Sequence, residues 1–142
     1  MMDRVFPFLA AEGYTETSPA TTQYNCIAWA AGRTDDCWGP DEMDVGYWPN
    51  GVPRAETLAA FLQAFASLGY VRCDHGDLEP GFEKVALYAS DGKPTHAARQ
   101  LPEGGWTSKL GKWIGMTHTL HGVEGPLYGT VAAFLKRALS AG

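Results

Sequence analysis

The dipeptide Asp91-Gly92 constrains this chain more than any other feature. It sits between Val85–Ala89 and Thr95–Leu101, and an Asp-Gly step flanked by apolar runs predicts a two-residue β-hairpin. With those two residues as the turn, Ser90 opposes Lys93 and Leu87 opposes His96. Opposed residues share a face. One face then carries Val85, Leu87, Ala89, His96, Ala98 and Gln100. It is the more apolar face, so His96 is expected to point into the core.

Short strands around this hairpin extend it. Tyr70–Cys73 reads as a strand, and Pro102–Gly105 turns the chain into Trp106–Leu110, giving an antiparallel meander. Two longer helices are predicted. In residues 54–68, Leu58, Phe61, Leu62, Phe65 and Leu68 recur at helical spacing, with Pro53 before and Gly69 after. Tyr128–Leu139 shows Val131, Phe134, Leu135 and Leu139 on one helical face. Residues 1–22 read as irregular, as does a connection over 33–53 punctuated by Trp38-Gly39-Pro40 and Tyr47-Trp48-Pro49. Trp38 and Trp48 are expected to close that loop onto the body.

With 142 residues and no linker or repeat, the chain suits one α+β domain over 1–142, with helices packed on an antiparallel β-meander. The net charge of −5 and absence of a basic block argue against nucleic acid and anionic membrane as partners. No stretch approaches a membrane span, and the first residues do not read as a signal peptide. A cytoplasmic location is expected. The three cysteines, Cys26, Cys37 and Cys73, show no C-x-x-C spacing, which speaks against a disulfide framework or a zinc site. His118 and His121 have no frame that would make them a metal pair. Arg99, Lys109 and Lys112 read as solvated. Oligomeric state is left open.

Tyr24-Asn25-Cys26-Ile27-Ala28-Trp29-Ala30 carries the chemistry. Thr21 or Thr22 caps a short helix that Gly32 ends, placing Cys26 in its first turn. Unpaired N–H groups and the helix dipole favour a thiolate there. Trp29 is expected to fix this helix on the sheet. A core-facing His96 supplies a base for Cys26. Gln23 and the Cys26 N–H are placed to hold an oxyanion, with Asn25 beside them. Thr107 or Ser108, depending on the turn at Glu103-Gly104, would orient His96. Cys37 and Cys73 read as structural. The chemistry needs no cofactor.

These residues resemble the nucleophile segment and strand histidine of papain-like cysteine hydrolases. Asn25-Cys26 is similar to the Asp-Cys pair of the compact bacterial branch that cleaves cell-wall peptides or acts as amidases. The Cys-Gly-Ser-Cys-Trp nucleophile motif is absent. The chain also looks like an uncharacterised bacterial family carrying Tyr-Asn-Cys-Ile-Ala-Trp-Ala, His-Ala-Ala-Arg-Gln-Leu and Trp-Thr-Ser-Lys-Leu-Gly, here residues 24–30, 96–101 and 106–111. The resemblance implies a minimal papain-like fold and thiol hydrolysis of an amide, peptide or acyl bond, on a peptide or protein substrate. A non-catalytic peptide- or protein-binding domain of the same fold is the alternative.

Overall fold

A computed structural model describes residues 14–18, 26–30, 48–49, 51–53, 55, 57–109, 115–125 and 128–139. Its elements are β1 (Tyr14–Ser18), α1 (Cys26–Ala30), α2 (Leu58–Ala66), β2 (Val71–Cys73), β3 (Phe82–Ser90), β4 (Lys93–Gln100), β5 (Trp106–Lys109), β6 (Gly115–His118) and β7 (Thr130–Ala138). All seven strands join one sheet in the order β1-β6-β5-β4-β3-β7-β2. Every pairing is antiparallel.

The expected architecture is therefore corrected. This is a β-rich fold and not a papain-like set of helices on a meander. The largest change is the C-terminal segment, expected to be helical, which is strand β7 between β3 and β2. Val131, Phe134 and Leu135 fit a helical face, but the segment also alternates. Ala133 and Leu135 are buried and their neighbours less so. Pairing along nearly the whole of β3 satisfies its backbone and decides the matter. The N-terminal segment expected to be irregular supplies β1, and residues 115–118, for which no strand is predicted, supply β6.

The Asp91-Gly92 hairpin forms as expected. Both residues have positive φ, 51° and 79°, as a type I′ turn requires. Ser90 faces Lys93, but Tyr88, not Leu87, faces His96. A bulge at Tyr88/Ala89 leaves Thr95 as the extra residue between Pro94 and His96. Proline has no N–H to give the ladder, and strands carrying one commonly bulge there. The bulge sends His96 to the face that carries Tyr88, Ala86 and Ala98.

Both faces of the sheet are covered, so Val85, Ala86, Leu87 and Tyr88 are all fully buried. On one face α1 and α2 pack Ile27, Ala28, Phe61 and Phe65 against Val85, Leu87, Ala97 and Leu135. On the other, Val123 and Tyr128 from the connection before β7 cover Tyr88, Trp106 and Met116. Tyr88 ties that connection down, its hydroxyl donating to the Leu120 carbonyl at 2.6 Å.

α2 is shorter than predicted. Its N-cap is Thr57, whose hydroxyl accepts from the Ala60 N–H at 3.2 Å, and Pro53 lies before it. Trp48 does close onto the body: it is buried, donates to the Pro53 carbonyl at 3.0 Å and meets Phe61 edge-on. Among the described residues, no helix is long and apolar enough to cross a membrane.

Candidate functional site

Cys26 lies in α1 and is 8% exposed, while the caps expected for that helix, Thr21 or Thr22 and Gly32, lie outside the described residues. The helix packs on β4 and β5, the strands that carry His96 and the Thr107-Ser108 pair. Trp29 anchors it. Its indole N–H donates to Thr107 Oγ1 at 3.3 Å, and the Arg99 guanidinium lies 5.1 Å from its ring centre. Thr107 in turn donates to the Met116 carbonyl at 3.0 Å. Thr107 thus holds the helix and does not orient His96.

Ser108 faces the other way. It shares the His96 side of the sheet and meets His118 Nε2 at 2.6 Å. His118 Nδ1 lies 2.6 Å from the Thr119 carbonyl, which can only accept. Nδ1 therefore carries the proton, Nε2 is the acceptor, and the Ser108 hydroxyl donates. Ser108 is fully buried and His118 nearly so. Burial pulls the His118 pKa below the ordinary value, and the bond to Thr119 partly offsets it.

His96 is fully buried and its two ring nitrogens have no hydrogen-bond partner. It does not, then, accept the Cys26 thiol proton in this arrangement. Tyr128 stacks flat on it at 3.9 Å, and Tyr88 tilts against it at 5.4 Å. Burial, aided by the nearby His118, holds the His96 pKa well below its usual value. The imidazole is neutral, as a general base must be. Tyr128 also reports on the thiol: burial raises the pKa of its hydroxyl, and the charge of a Cys26 thiolate raises it further.

His96 and Ser108 lie where two strands part, on the face opposite the Cys26 helix. Among the described residues, ladder pairing of β4 with β5 comprises Arg99↔Thr107 and Gln100↔Trp106. His96 lies on β4 and Ser108 on β5, both beyond the last pair, and α1 packs across the same two strands. The sequence brought out Cys26, His96 and Ser108 but not His118 or Tyr128. The spacing of Ser108 and His118 across the β5–β6 hairpin was the available signal, because Ser108↔Met116 pairing puts them on one face. Gln23, Asn25 and Cys37 lie outside the described residues. Cys73 donates weakly to the His75 carbonyl on the β2 edge. Among the described residues, no group of three or more His, Cys, Asp or Glu side chains could hold a metal ion.

The chain belongs to a family described as a domain of unknown function (DUF7689), whose model matches residues 15–136. No curated protein and no solved structure matches it.

Proposed function

We propose that this member of the DUF7689 family is a thiol hydrolase acting on an amide or related acyl bond, with Cys26 as nucleophile and His96 as base. The observation that supports it is the state of His96. It is fully buried, neutral and unpartnered at both nitrogens, beside the strand gap that the Cys26 helix packs across. An unsatisfied buried polar group costs about 1–3 kcal/mol. Such a group calls for an explanation, and a catalytic role is one that fits a neutral imidazole.

In the reaction, His96 takes the Cys26 thiol proton. The thiolate attacks the carbonyl carbon, and the imidazolium gives its proton to the departing amine. Water then attacks the thioester, losing a proton to His96, and the acid leaves as the thiol reforms. The step requires Cys26 and His96, which rest on opposite faces of the sheet with no hydrogen bond between them, to meet through the opening between β4 and β5. Substrates of this chemistry are peptides or proteins.

The test is alkylation of the folded chain by iodoacetamide across pH, read residue by residue. Cys26 should label faster than Cys73 at pH 7, and His96→Ala should slow it to the rate of Cys73. Circular dichroism of the variant checks that it is folded. Equal labelling of the two cysteines, unmoved by His96→Ala, would end the hydrolase reading. The non-catalytic binding domain would then stand, favoured by the near-complete burial of both Cys26 and His96.

A further inference from the structure

Strand β2 stops short of its neighbour. It pairs with β7 at Val71↔Lys136, Arg72↔Leu135 and Cys73↔Phe134, while β7 reaches back to Thr130. The reason lies at Gly76. After Cys73 the chain leaves the edge and crosses the Phe134 ring, so closely that a Cβ at Gly76 would stand 2.5 Å from it. Gln100 Nε2 donates to the Gly76 carbonyl at 2.7 Å and holds the crossing over the sheet.

Among the described residues, no strand covers the outer edge of residues 130–133. The main-chain polar groups of a strand alternate between its two sides, so part of those in this stretch face away from β3. The ladder shows the gap in two ways. Ala132 is the extra residue of a bulge, with no partner opposite it on β3, and β2 does not reach it. The Val131 N–H is taken by a side chain, donating to Glu124 Oε2 at 2.8 Å. Beside this edge lies a groove of about 270 Å³, between residues 72–74 and 131–134. Edges are commonly blunted by a charged side chain or a proline. Val131, Ala132 and Ala133 offer neither.

We infer that this groove takes an extended peptide segment, which adds to β7 as a short strand in line with β2. Its main-chain N–H and C=O groups meet those that residues 130–133 turn away from β3. The charges at the rim, Arg72 and Asp74, are of opposite sign, so recognition rests on the peptide backbone and not on a charged end. At roughly 3.4 Å per residue the open edge accommodates about four residues. β2 occupies the same row, so a longer straight strand would run into Cys73. A single segment able to bend away fits this space, and the edge of a second folded copy does not. The site draws on neither Cys26 nor His96.

The test uses the full chain, labelled with nitrogen-15, and titrates it with the capped peptide acetyl-Ser-Val-Thr-Val-Ser-amide. Amide shifts should gather at Cys73, Asp74 and residues 131–134. Two analogues are titrated beside it, one N-methylated at both valines and the other at the remaining three residues. A strand turns alternate N–H groups toward its neighbour. One analogue should therefore bind about tenfold more weakly, and the other as well as the parent. Equal affinity of all three peptides, equal weakening of both analogues, or no shifts at these residues would each overturn the assignment. Shifts at the same residues on raising the protein concentration without peptide would overturn it too, and would give the edge to a second copy.

Discussion

The Tyr128 ring lies on the His96 ring with centroids 3.9 Å apart and planes 8° from parallel. Thr95, the residue squeezed out by the β4 bulge, donates to the Tyr128 carbonyl and so ties the covering connection to the same strand. Stacking of this kind works while the imidazole is neutral and buried. Protonation would put an unpaired charge inside a dry layer.

Stability should therefore depend on pH through His96 and His118. In the unfolded chain each titrates near 6.5, and in the fold each stays neutral below that. The unfolded state then binds more protons as pH falls. The stabilising contribution is complete above 6.5 and is lost below it, at up to about 1.4 kcal/mol per pH unit for each group. Urea melts between pH 7.5 and 5.5 should show this fall, and His96→Phe should flatten it. A second loss, from Glu79, belongs to lower pH. Hydrogen bonds from Lys84 and then Lys136 hold its carboxyl below 4.5, so its contribution is present above that value and disappears as pH falls through the folded value.

Ser108→Ala should destabilise the protein by about 1–3 kcal/mol, because it leaves His118 Nε2 buried without its donor. A shift of the urea midpoint with unchanged slope would register the loss. Ser108→Ala combined with His118→Phe should cost less than the sum of the two single changes, since the double variant has no orphaned nitrogen.

Gly129 has φ of +73°, and a Cβ there would stand 2.0 Å from the Ala89 carbonyl oxygen. Gly129→Ala should cost on the order of 3 kcal/mol or more, since β3 and the start of β7 would have to separate. Gly81 has φ of +86° with nothing within 4 Å of its Cβ position. Gly81→Ala should cost about 1 kcal/mol, the backbone strain alone. Thermal melts of the pair separate the clash from the strain.

Thr57→Ala removes the only side-chain cap described for α2 and should cost about 1 kcal/mol. Thr57→Ser keeps the hydroxyl and should restore most of the loss. Hydrogen exchange at Ala60, whose N–H the cap holds, is the direct readout.

Local chemistry was legible from the residues themselves. Asp91-Gly92 accepts two left-handed conformations and so encodes its turn wherever the flanking strands go. The Phe61–Phe65 stripe encodes α2, and Cys26 lies in a helix where a short run of small residues allows. Two matters were beyond local pattern. Residues 130–138 fit a helix and a strand about equally, and only the open edge of β3 chose the strand, by pairing with nearly every residue of it. His96 was placed by a one-residue bulge beside Pro94. Because side chains alternate with a period of two, that single residue moved the imidazole from the α1 face to the Tyr128 face. Sequence determined which groups could do chemistry; the sheet decided which of them meet, since register is a property of paired strands and not of either strand alone.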